Sequence, residues 1–109
     1  MALGGAYRAL ADPTRREILV LLREGDLAAG ELAGHFEISW PSVSRHLRVL
    51  EEAGLVSSVR RGGNVIYSLQ TSVLEDIVTE LAQMGGVGRP APAGGSRARV
   101  RRRARPQRA

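Results

Sequence analysis

With 109 residues the chain is long enough for one small domain, and its four aromatic residues, Tyr7, Phe36, Trp40 and Tyr67, leave a modest core of Ala, Val, Ile and Leu. It contains no cysteine, which excludes disulfides, thiolate metal sites and thiol redox sensing. The net charge of +5 is unevenly placed: all 16 basic residues are arginine, half of them lie after Gly88, and all 11 acidic residues lie before it, so the high pI belongs to the tail and says nothing by itself about the body.

No apolar run approaches the roughly 20 residues that span a bilayer. The N-terminus lacks a basic region followed by an apolar one, so a cytoplasmic protein is expected. Small domains bury a low fraction of their surface, which makes a dimer reasonable on size alone.

In chain order, Leu3 to Leu10 reads as a short helix weakened at its start by Gly4 and Gly5. Asp12-Pro13-Thr14 opens a second helix: the Asp12 carboxylate can take an orphan backbone N–H, and Pro13 fits a first turn where no N–H is needed. Ile18, Leu19 and Leu22 recur at helical spacing, and Gly25 stops the run. Ala28 to His35 is a third, short helix with Leu32 and Ala33 facing inward, and Phe36-Glu37-Ile38 is the turn that follows it.

The fourth helix starts at the cap Ser39, takes Pro41 in its first turn and ends at Gly54. Val43, Leu47 and Leu50 share its inner face. Pro41, Ser44, Arg45 and Arg48 share another, with Trp40 beside them. Small hydroxyl residues and arginines on an outward face suit base edges and phosphates, although a solvated amphipathic helix has the same pattern. A short third helix, a turn and this helix make a helix-turn-helix, with Ser39, Trp40, Pro41, Ser42, Ser44, Arg45 and Arg48 as candidate DNA contacts.

After Gly54 the pattern turns β-prone over Leu55–Arg61 and Asn64–Leu69, with Gly62-Gly63 between. A hairpin placed after a recognition helix is a wing. Its tip offers Arg60, Arg61 and Asn64 to the DNA backbone or minor groove, and the two arginines also protect an exposed strand edge. Thr71 or Ser72 is expected to cap a last helix running to about Met84. Its stripe of Leu74, Ile77, Leu81 and Met84, widened by Val73 and Val78, needs a partner. It can fold back on its own core or pair with its copy in a second subunit. The second is expected, with Leu3 and Tyr7 of the first helix joining Leu74, Ile77, Val78, Leu81 and Met84 in a homodimer interface.

The chain thus reads as mainly α with a β-hairpin wing: a homodimeric winged helix-turn-helix domain over residues 1–84, then a disordered Arg/Pro/Gly-rich tail over 85–109. The tail is either a non-specific nucleic-acid arm or a solubilising extension. Ser42 and His46, at i and i+4, can mimic a nucleophile–base pair, but no third group orients the imidazole and no oxyanion site is evident, so no catalytic residue and no enzyme is expected. Both histidines, His35 and His46, are placed near helix-packing surfaces. The competing classes are a winged-helix protein-interaction module, against which Arg45, Arg48, Arg60 and Arg61 argue, and a DNA-coating protein, which the tail suggests.

The wording of the motifs resembles the ArsR (arsenic-repressor) family of winged helix-turn-helix repressors. The residues that carry it are Ala9-Leu10-Ala11-Asp12-Pro13-Thr14-Arg15-Arg16-Glu17-Ile18-Leu19, Gly30-Glu31-Leu32-Ala33, and Pro41-Ser42-Val43-Ser44-Arg45-His46-Leu47 with Leu50 and Ala53-Gly54-Leu55-Val56. Arg61-Gly62 and Tyr67-Ser68-Leu69 complete the set, so the likeness covers roughly residues 6–84. It looks most similar to the metal-independent SdpR-type autorepressors, a similarity to which Thr71-Ser72-Val73-Leu74-Glu75-Asp76 adds. The resemblance implies a homodimer joined by its first and last helices, which represses by binding double-stranded DNA at an inverted repeat. Members that bind thiophilic metals carry cysteines in the helix before the turn, where this chain has Ala28 and Gly30. Members with a site on the last helix use Asp and His, and this helix has no histidine. No metal, no cofactor and no membrane partner is therefore expected. One departure is Trp40, where the family often has a polar residue.

Overall fold

Two local devices fix the start of the fold. Asp12 caps α2 (Pro13–Arg23), its Oδ1 accepting from the backbone N–H groups of Thr14 at 2.8 Å and Arg15 at 3.1 Å. Burial raises the Asp12 pKa, but these bonds and the neighbouring His46 and Arg15 outweigh it and leave the carboxyl below its ordinary value. The second device closes the preceding helix, α1 (Gly4–Leu10), where Arg8 O accepts the Ala11 N–H at 3.2 Å and the last carbonyls still have capacity to accept. Arg15 takes Ala9 O through Nε at 2.7 Å and Arg8 O through Nη2 at 3.1 Å, and Arg16 takes Leu10 O at 2.8 Å. Cations at a helix C-terminus also oppose its dipole.

The structure, a computed structural model, describes residues 3–88. After α2 come β1 (Leu27–Ala28), α3 (Ala29–Ala33), α4 (Trp40–Glu52), β2 (Val56–Arg61), β3 (Asn64–Leu69) and α5 (Thr71–Gly85). Helices α1, α2 and α4 pack on one another and α3 packs on α4, while the sheet lies against α2, α3 and α4. The shared core is aliphatic: Ile18, Leu22, Leu32, Val43, Leu47, Leu50, Leu55 and Val56, with Ala6, Ala9, Val73 and Ile77 at its edge. Among the described residues no polar or charged side chain is buried. No helix among them is long and apolar enough to cross a membrane.

Three local expectations are corrected. The sheet has three strands in the order β1-β3-β2, because Leu27 and Ala28 pair with Tyr67 and Ile66. Ala28, expected to begin the third helix, is therefore a strand residue whose N–H goes to Glu31 Oε1 at 2.8 Å, and α3 ends at Ala33, with His35 in the following turn. Neither Thr71 nor Ser72 caps α5: Gln70 occupies the cap position without a side-chain cap bond, held by its own N–H on Leu55 O at 3.0 Å and by its amide on Ser57 Oγ at 2.8 Å. Helix α5 ends at Gly85, close to the expected Met84, with Gly86 in the left-handed cap position and Val87 N–H on Ala82 O at 2.9 Å. The expectation of a disordered arginine tail falls on residues 89–109, outside the described residues.

The apolar stripe of α5 divides. Its first half packs on the chain's own core, with Val73 and Ile77 buried and Leu74 half-buried. Its second half runs past that core: Val78 is 65%, Leu81 50% and Met84 67% exposed. Ile77 and Leu3, expected at a subunit interface, are buried within the single chain, at 4% and 8% exposure. Tyr7 is half-buried and its hydroxyl donates to the Glu80 carboxylate, which fastens α1 to α5. That hydrogen bond, which favours the neutral phenol, pushes the Tyr7 pKa up, with burial and the Glu80 charge adding to it.

Candidate nucleic-acid interface

Helix α4 carries the site because its inner face leaves it no freedom to roll. Val43, Leu47 and Leu50 are all but inaccessible to solvent. The cap that Ser39 provides is real: its Oγ accepts from Ser42 N–H at 3.3 Å and donates to Ser42 Oγ at 3.0 Å. At the other end Gly54 has φ +79, the left-handed conformation that ends a helix cheaply only for glycine. A Cβ there would also come within 3.2 Å of Val73 Cγ2, so the same glycine lets α5 approach.

With the core face fixed, Trp40, Pro41, Ser44, Arg45 and Arg48 point outward and are exposed, and Ser42 is half-buried. Arg45 and Arg48 make no hydrogen bond or ion pair among the described residues, where the one ion pair is Arg23–Glu24 at the surface. Two unpaired guanidiniums, a hydroxyl and a ring system on one exposed helix surface are a set of groups suited to the major groove.

The hairpin stands beside this helix. Its register runs from Val56 opposite Leu69 to Arg61 opposite Asn64, so Gly62-Gly63 is a two-residue turn. Gly62 alone of the pair has positive φ, +60, the requirement of a type II′ turn. Arg60, Arg61 and Asn64 are exposed at its tip. The wing is tied to α4 by Ser58, whose hydroxyl donates to Glu51 Oε2 at 2.9 Å. Burial, and then the charge of Glu51, raise the pKa of Tyr67 in β3, which keeps that phenol neutral. Since β2 is a sheet edge, Arg60 and Arg61 also guard it against pairing with another chain.

The structure thus brings Ser39, Trp40, Pro41, Ser42, Ser44, Arg45 and Arg48 onto one helix surface and places Arg60, Arg61 and Asn64 on the wing. Sequence reasoning missed Arg15. Its third nitrogen lies 3.2 Å from His46 Nδ1 on α4, so it links the recognition helix to α1 and α2. The available signal was an arginine in the first turn of a capped helix, directly after a helix whose carbonyls need donors. The pairing of Ser42 with His46 is not assembled: Ser42 engages Ser39, and His46 engages Arg15. His46 is half-buried, whereas His35 is exposed and not packed as expected. Among the described residues no three His, Cys, Asp or Glu side chains form a group able to hold a metal.

Residues 12–58, which span α2 through the start of the wing, match the sequence profile of the bacterial regulatory protein, arsR family. The transcriptional repressor SdpR of Bacillus subtilis is 47% identical over 76 residues, covering 70% of this chain and 84% of SdpR. The chain belongs to the arsR family. The HTH-type transcriptional regulator Rv2034 of Mycobacterium tuberculosis is 45% identical over 76 residues, covering 70% of this chain and 71% of that protein. Among solved structures, an ArsR-like transcriptional regulator from Rhodococcus sp. RHA1 superposes with a TM-score of 0.69 at 33% identity, over 77% of this chain and 79% of that one. This arsR-family chain is a winged helix-turn-helix transcriptional regulator, not an enzyme.

Proposed function

We propose that the chain is a sequence-specific DNA-binding repressor that acts in the cytoplasm as a homodimer on an inverted-repeat operator, regulates its own gene, and does not respond to metals. The observation that carries this is the pinned helix α4, with Arg45 and Arg48 unpaired on its outer face and Arg60 and Arg61 beside it on the wing. Recognition of an inverted repeat needs two such helices, and the uncovered end of α5 (Val78, Leu81 and Met84) is an apolar surface available for a second copy. Metal independence rests on the absence of cysteine and on Ala28 and Gly30 standing where thiophilic family members have ligands. The deciding experiment is footprinting on the DNA upstream of the chain's own gene. A protected inverted repeat with half-sites about one helical turn, ~10 bp, apart supports the proposal. Uniform coating, with no preferred site at any salt concentration, refutes it in favour of a general DNA-covering protein.

A further inference from the structure

Trp40 is out of keeping with the rest of α4. The other large apolar side chains of that helix face the core, while Trp40, its first residue, is 55% exposed. It heads an exposed row, Trp40, Ser44 and Arg48, at helical spacing i, i+4 and i+8. Its Cζ2 edge faces Gly30 of α3, where a Cβ, were the residue not glycine, would lie 4.0 Å from the ring, and more than half of the side chain stays open to solvent. The hydroxyls that flank it, Ser39 and Ser42, are bonded to each other. The N-terminal end of α4 therefore presents an apolar plate, with the guanidinium of Arg48 about two turns further along the same row.

Residues at the N-terminus of a recognition helix are those that reach base edges. Of the features displayed in the major groove, one is apolar, the C5-methyl group of thymine. We propose that Trp40 is a specificity-determining residue that reads a thymine methyl in each half-site by packing its exposed indole on it. This inference rests on the proposal that α4 enters the major groove.

The test uses the full chain and a duplex it selects from a random pool. Each thymidine is replaced in turn by deoxyuridine, which removes the methyl and leaves the base-pairing edge unchanged. At one thymine per half-site the affinity should fall roughly four-fold, the loss expected for one buried methyl. Trp40→Ala should bind the unmodified duplex weakly and be indifferent to uracil. Trp40→Phe, which keeps an apolar ring, should retain part of the penalty. If no replacement weakens the wild type by more than about two-fold, or if Trp40→Ala shows the same penalty, the thymine assignment is wrong while DNA recognition by α4 stands. If the pool yields no preferred duplex, DNA recognition fails and the assignment falls with it.

Discussion

Arg15 and His46 are 31 residues apart in sequence and 3.2 Å apart in space, guanidinium Nη1 against imidazole Nδ1. A guanidinium has donors only, so in this contact it donates and the Nδ1 lone pair accepts. The same guanidinium holds the carbonyls of Arg8 and Ala9, and three helices meet on one cation.

Removing that cation should be costly out of proportion to its partial exposure. Arg15→Ala is expected to lower stability by roughly 2–3 kcal/mol, since hydrogen bonds to charged groups are worth about 1.5–3 kcal/mol each and the carbonyls it leaves behind are partly reachable by water. Arg15→Lys should recover only part of this, because a single ammonium cannot span three acceptors. Urea unfolding with an unchanged slope and a shifted midpoint would show it. A neutral Arg15→Ala would mean that the clamp contributes nothing.

The arginines of the helix and of the wing should separate in binding assays. Arg45→Ala is expected to cost about 1–3 kcal/mol on the preferred duplex and to narrow the ratio of specific to random affinity. Arg61→Ala should weaken both duplexes nearly equally and lower the salt slope by about one. Competition against random duplex at several salt concentrations measures both. An unchanged ratio for Arg45→Ala would remove it from base recognition.

The two halves of α5 should respond differently to damage. Ile77→Ala opens a cavity in a filled core and should cost about 2–5 kcal/mol of folding stability. Leu81→Glu, at an exposed position, should leave the helix content intact and yield folded monomers that no longer bind the operator. Light scattering with circular dichroism separates these outcomes. A Leu81→Glu dimer that still binds would place the subunit contact elsewhere.

Acid stability should depend on the cap of α2. The folded-state pKa of Asp12 lies below the ordinary 3.8, so the carboxylate contributes stability that is fully present above that value and is lost as pH falls through the lower folded-state value. Asp12→Asn should be less stable than the wild type near pH 7, and the difference should shrink as the pH drops below about 3.8. Melting both proteins across that range tests the sign.

Metal should have no effect on operator affinity. The expected binding curve is the same in EDTA as in zinc, nickel or cobalt, because the chain has no cysteine and α5 no histidine. A loss of binding on adding one of these ions, reversed by chelation, would contradict this.

What the sequence made legible was local. Asp12 and Ser39 announce their helices because a cap is a short-range interaction, and Val43, Leu47 and Leu50 declare a face by spacing alone. Gly62-Gly63 set the register of the hairpin for the same reason. Strand β1 was hidden because two residues cannot display an alternation, and its pairing with Ile66 and Tyr67 is decided by the rest of the fold. The contact between Arg15 and His46 was invisible for want of any signal linking two positions so far apart. The stripe on α5 is apolar by its spacing, but periodicity does not say where the core ends. That boundary, directly after Ile77, separates side chains that serve folding from those left exposed.

Trp40 gives the molecule an optical consequence. It is the sole tryptophan, and it stands at the surface outside the core cluster. Its emission is therefore nearly silent about the packing of the interior, which absorbance and dichroism must follow through the half-buried Tyr7 and Tyr67. For the same reason its colour and intensity report on one place only, the leading end of α4, and a titration of the unlabelled protein with DNA tests directly whether that end is occupied.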